Sequence, residues 1–216
     1  MKRLHVGMVV LIATGWFLSL STAIAQQKFV IKPLAEKKVA ALPAGPLYWR
    51  IENFTNGLYG SGVNEYGEPV ASARSQAEAA AGPWALVAES AGKVWLFTLG
   101  PAGEASVGGN KVAEVGPIPG VNAPQYLLRV NEASGPQGSM TAVHSHPGSE
   151  AFFVLAGEQS IRSPHGVMRV KAGQAEAGNG ADSPMQVSSS GATELHSLVM
   201  FVVDATRPFS SPTKIP

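Results

Sequence analysis

The chain has 216 residues, with 16 basic and 15 acidic side chains, a formal net charge of +1 and no cysteine. Near-neutral charge with no basic run gives no electrostatic footprint for nucleic acid or anionic lipid. The lack of cysteine excludes disulfides, thiol catalysis and cysteine–metal sites, and 24 glycines with 16 prolines suit short strands joined by turns.

Residues 1–25 open with Lys2 and Arg3, continue through an apolar run from Val6 to Leu20, and end in Ala23-Ile24-Ala25. That order of basic, apolar and small residues predicts a secretory signal peptide cleaved after Ala25, hence a periplasmic or secreted protein with no membrane attachment afterwards. The apolar run is short for a spanning helix, which needs about twenty residues. Cleavage removes Lys2 and Arg3 and no acidic residue, leaving a formal charge of −1 on residues 26–216.

Residues 26–82 read as an N-terminal arm and an insertion, and 83–208 as a β-barrel domain. The Lys-rich arm reaches about Leu42, with some order at Phe29-Val30-Ile31, and Leu47–Ile51 has strand character. Residues 55–69 are dense in turn formers, and Ala71–Ala81 is the one good helix candidate, ended by Gly82-Pro83. Trp84–Glu89 and Lys93–Thr98 flank Ser90-Ala91-Gly92 as a hairpin with a three-residue loop. Further strands are expected at Lys111–Val115, Gln125–Val130, Gln159–Arg162 and Val167–Val170. The run Leu195–Val203, apolar without alternation, suits a strand buried on both faces. Trp49, Trp84 and Trp95 read as core.

The chemistry concentrates at His144-Ser-His146-Pro-Gly-Ser-Glu150. In a strand, His144 and His146 share a face. Pro147-Gly148 is a turn signal that carries Glu150 onto a neighbouring strand. Two imidazoles and one carboxylate facing a common space are a metal-ligand set, and with open positions they match the two-histidine, one-carboxylate arrangement of non-haem iron chemistry. If Glu150 faces inward, Phe152 and Val154 do too. Phe153 and Leu155 then face outward, which implies a cover from segment 29–51 or from a second subunit.

The spacing resembles the first signature of the cupin superfamily: glycine, five residues, His-x-His, three residues, Glu, six residues, glycine. Gly138, His144, His146, Glu150 and Gly157 fill every fixed position. The resemblance implies an all-β fold, a cupin jelly-roll β-barrel with an N-terminal extension. It also implies a divalent transition metal (Fe, Mn, Ni, Cu or Zn) on His144, His146 and Glu150, a small-molecule ligand or substrate, and a tendency to form homodimers. It covers residues 124–204.

The family's second motif, with its third histidine, is not matched. Counted from Gly173 with one extra residue, Met185 takes the histidine position. Three consequences stand open: a site of three ligands completed by water or Gln186, a thioether ligand at Met185 that biases the site towards copper, or a Met185 that only fills the barrel. His196 is a possible substitute donor, and otherwise a buried neutral histidine. His165 sits at a hairpin tip, and Tyr126 and Arg129 lie on opposite faces of one strand. Two functions compete: a metal-dependent, oxygenase-like enzyme acting on a small molecule, or a non-catalytic binding module whose metal site is degenerate or empty.

Overall fold

The structure is a computed structural model that describes residues 28–54, 58–59, 63–64 and 70–216. The expected signal peptide and most of the 55–69 insertion lie outside the described residues. The chain begins with β1 (Val30–Val39), β2 (Tyr48–Asn53), a minimal hairpin of β3 (Leu58–Tyr59) and β4 (Val63–Asn64), and α1 (Val70–Ala80). Next come β5 (Ala85–Ser90), β6 (Lys93–Gly100), β7 (Asn110–Val115) and β8 (Tyr126–Gly135). After β9 (His144–Ser145) follow β10 (Gly148–Ala156), β11 (Glu158–Ser163), β12 (Gly166–Lys171), β13 (Ala175–Ala177), β14 (Gln186–Ser189), β15 (Leu195–Asp204) and β16 (Ser211–Pro212).

The expected all-β class holds, and the strands stack in layers. The middle layer is an antiparallel sheet in the order β1-β8-β15-β10-β13. One of its faces packs on the sheet β5-β6-β2-β7, the other on β12-β11-β14. Backbone bonds from Gly138 N to Ser189 O (2.8 Å) and from Thr141 N to Val187 O (2.9 Å) extend this last sheet towards β9, which pairs with β16. Among the described residues the ladders form several antiparallel sheets and do not close into one hydrogen-bonded barrel.

A middle layer must be apolar on both faces, and β15 is. Leu198, Met200 and Val202 enter one core with Trp49, Ile51, Trp95 and Phe97, while Val199, Phe201 and Val203 enter the other with Phe152, Ile161 and Met185. β10 divides the same way: Phe152 and Val154 on the inner side, Ala151 and Phe153 on the outer. The expected cover over Phe153 therefore exists within this chain. Trp95 meets Phe153 edge-on, with ring centroids 6.0 Å apart. Fully burying each such ring is worth about 1.5–3 kcal/mol.

Three readings change at this level. Segment 84–115 does not extend the barrel. It folds back on β2 as a separate sheet, because β2 offers both of its edges, to β6 and to β7. The arm is a ten-residue edge strand, β1, paired along β8 with one register shift between Pro33 and Ala35. The β5–β6 loop has two residues, not three: Ala91 (φ 51°) and Gly92 (φ 67°) are both left-handed, as the tightest hairpin turns require, so Ser90 pairs with Lys93. The helix stands at Val70–Ala80, and Ala73 and Ala77 lay its small-residue face on Val94 and Leu96. No helix among the described residues is long and apolar enough to cross a membrane.

Candidate functional site

The first signature lies at a corner and not in a hairpin. β9 belongs with β16, and β10 lies between β15 and β13, so the chain crosses between layers at His146-Pro147. The crossing is pinned on both sides: Asp204 N donates to Pro147 O at 3.0 Å and Asp182 N to His146 O at 2.7 Å. The approach is close enough that a Cβ on Gly148 would stand 2.2 Å from Val202 O. Gly157 has φ +74°, and its Cβ would meet Glu194 O at 2.7 Å, so the glycine that ends the signature is required by both conformation and space.

His144, His146 and Glu150 then line one cavity of about 460 Å³. Its walls are mostly apolar, from Phe152, Val187, Val199, Phe201 and Phe209, with Ile31 of the edge strand at the rim. The two imidazole centroids are 5.0 Å apart with the rings nearly perpendicular, at 83°. His144 donates from Nδ1 to Ala142 O at 2.9 Å, and His146 from Nδ1 to Phe209 O at 2.7 Å. In the neutral rings both Nε2 atoms therefore keep a lone pair. His146 also packs between Phe201 and Phe209, each 4.8 Å away by centroid. Burial pushes this imidazole down to about 4 against the pull of the Phe209 carbonyl, with smaller downward contributions from His144 and Arg129.

Glu150 is 2% exposed, and its Oε1 has no protein hydrogen-bond partner. Burial alone raises its carboxyl to about 8, so at neutral pH the side chain is mostly an uncharged acid. Gly178 closes over it: a Cβ there would stand 2.5 Å from Glu150 Cγ and 2.9 Å from Phe152.

Met185 is buried in the apolar cluster and is not among the cavity-lining residues. Its backbone nevertheless pairs with that of His144. Gln186 is engaged at both ends, donating to Thr141 O at 3.0 Å and accepting from Arg162 at 3.1 Å. His196 is no substitute donor. It stands on the opposite face of the middle sheet, 3.2 Å from Ser90 Oγ and 3.4 Å from Glu132 Oε2. His165 is exposed at the β11–β12 tip, as expected. Arg129 does not line the cavity; it lies over the Phe209 ring at 4.2 Å and pairs with Glu36 through Nε at 2.8 Å. Tyr126 lies on the other face of β8 from Arg129 and lines a separate cleft.

Sequence reasoning missed Asn131, Phe201 and Phe209. Asn131 and Phe201 carried a signal in their strand parity, two residues from Arg129 and from Val203. Phe209 carried none, because it reaches the site only through the fold of the C-terminal segment.

The donor chemistry fits a divalent cation: two imidazoles with Nδ1 committed to carbonyls, as ligating histidines usually are, and a carboxyl oxygen without a partner. The assembly is looser than a finished cluster. Among the described residues, no three His, Asp or Glu side chains stand together as a metal-holding group.

No family model matches the chain, and no curated protein matches it. Solved structures do. A DMSP lyase, DddQ, from Ruegeria pomeroyi is 23% identical over 40% of this chain and 43% of its own, with a TM-score of 0.35. A cupin-like protein from Thermotoga maritima is 16% identical over 41% of this chain and 65% of its own, at 0.36. A double-stranded β-helix protein from Klebsiella pneumoniae is 21% identical over 40% and 75%, at 0.35. The chain spans less than half the length of the lyase. The solved structures that this chain is similar to, over about two fifths of its length, include one described as a cupin superfamily protein and one as cupin-like.

Proposed function

We propose that the protein binds a small, largely apolar molecule in the cavity between its middle sheet and the sheet β12-β11-β14, with His144, His146 and Glu150 as the polar end. The observation that carries this reading is the cavity itself, which holds a buried carboxyl oxygen without a partner among aromatic and aliphatic walls. A volume of about 460 Å³ lies in the range of pockets that enclose small organic ligands. The signal peptide expected of residues 1–25 would give this site a periplasmic or secreted setting.

A second reading adds a divalent transition metal on His144, His146 and Glu150, and with it an oxygenase-like enzyme. The free Nε2 atoms and the unpartnered Oε1 favour it. A bound cation would supply Lewis acidity at the polar end of the cavity. The chain's own contribution is to hold the imidazole tautomers through Ala142 and Phe209, to keep water out with Phe152, Phe201 and Phe209, and to give up the Glu150 proton. Ligand binding stands first because the three donors are not drawn together as a group.

Protein purified from its native compartment separates the readings. Native mass spectrometry that finds a retained organic molecule, with less than a tenth of an equivalent of metal, supports the first. Metal near one per chain with oxygen uptake supports the second. Absence of both metal and ligand, with no thermal stabilisation by any small molecule in a screen, would remove the proposal.

A further inference from the structure

A second polar group lines the same cavity, two strands away from Glu150 on the same sheet. Asn131 in β8 is 2% exposed and lines the cavity, and its Oδ1 has no protein hydrogen-bond partner. An apolar side chain of the same size would fill this position without leaving a buried acceptor unmet, so the amide is unfavourable unless something entering the cavity bonds to it.

The register fixes how far this group lies from the signature residues. Asn131 pairs with Val199, which pairs with Phe152, while Arg129 pairs with Phe201, which pairs with Glu150. Asn131 and Glu150 are thus two strands apart and one inward-facing position out of step. Strand spacing and rise place their Cα atoms about 12 Å apart on the diagonal. Between them the inner face is Val199, Phe201 and Phe152, all cavity-lining and all apolar.

We infer that Asn131 is a second anchor, and that the cavity is built for an elongated apolar molecule with a hydroxyl group at the end remote from His144, His146 and Glu150. The hydroxyl donates to the Asn131 amide oxygen, while the opposite end of the ligand reaches the imidazole pair. This inference rests on the reading of the cavity as a small-molecule site and adds the chemical class of its ligand. A hydroxyl suits the position because it donates and accepts, and because it costs less to take out of water than a charge.

The test uses 4-phenylphenol and biphenyl as probes, with the full-length protein and calorimetric titration. The phenol is expected to bind wild type about tenfold more tightly than the hydrocarbon, as one hydrogen bond to an otherwise unmet buried acceptor provides. In Asn131→Leu the two probes are expected to bind within twofold of each other, through a weaker phenol and an unchanged or tighter hydrocarbon. Asn131→Ala covers the case in which leucine crowds the cavity or fails to fold, and the same loss of preference is expected. Without any probe, Asn131→Leu is expected to melt above wild type. Equal binding of the two probes by wild type, or a preference that survives both substitutions, overturns the role of Asn131 and leaves the cavity reading intact. Binding of neither probe by wild type overturns both.

Discussion

His144 and Met185 exchange both of their backbone hydrogen bonds. His144 N donates to Met185 O at 2.9 Å, and Met185 N to His144 O at 2.8 Å. Directly opposed residues of an antiparallel pair have Cβ atoms about 4.5–5.5 Å apart and direct their side chains to one face. The Met185 thioether therefore starts from the same face of this pair as the His144 imidazole.

Met185→His is expected to complete the donor set and raise affinity for Zn(II) or Ni(II) at least tenfold, read by calorimetry on protein stripped with chelator. Because Met185 is buried in the inner core, the variant is also expected to lose about 1–3 kcal/mol of metal-free stability. Unchanged metal affinity in a folded variant would show that position 185 does not address the histidine pair.

Glu150 and His146 set opposite pH dependences for the metal-free protein. The Glu150 carboxyl stands at about 8 against an ordinary 4.5, so the folded state retains a proton that the unfolded chain releases. Its contribution to stability is full below pH 4.5 and is lost as pH rises towards 8. The His146 imidazole stands at about 4 against 6.5, so its contribution is full above pH 6.5 and is lost as pH falls towards 4. Between pH 6.5 and 8 only the Glu150 slope remains, at most about 1.4 kcal/mol per pH unit. Urea midpoints over that range should fall for wild type and stay level for Glu150→Gln. A level wild-type profile would mean that Glu150 is already ionised when folded.

Gly178 is the roof over Glu150. Gly178→Ala places a methyl 2.5 Å from Glu150 Cγ, so β10 or the 178–180 segment must shift. Overpacking of this kind costs about 1–3 kcal/mol, measurable by urea denaturation, and should weaken probe binding in the cavity. Gly180→Ala, whose methyl would meet only Pro119 at 3.4 Å, is the control and should be near neutral.

Phe209 packs on His146 and Phe201 and lies beneath Arg129. Phe209→Ala keeps the carbonyl that receives the His146 proton but removes the ring that walls the cavity. The expected result is a loss of about 1–2 kcal/mol of stability and weaker binding of biphenyl, read by thermal shift and calorimetry. Biphenyl affinity equal to wild type would place the ligand away from the C-terminal segment.

The sequence alone determined the strand class, the helix expected over Ala71–Ala81, the two-faced burial of β15 and the inward parity of His146, Glu150 and Phe152. These follow from periods of two and 3.6 residues and from fixed spacings, which are local. Only the tertiary structure decided that a separate four-stranded sheet covers Phe153, that the signature turns a corner between layers, and that His196 faces the wrong side. Phe209 joined the site for the same reason. These placements depend on which strand lies beside which, and pairing between β8, β15 and β10, or between β9 and β16, joins residues tens of positions apart. Such partners are chosen by the burial of whole faces, a quantity that no short window of sequence contains.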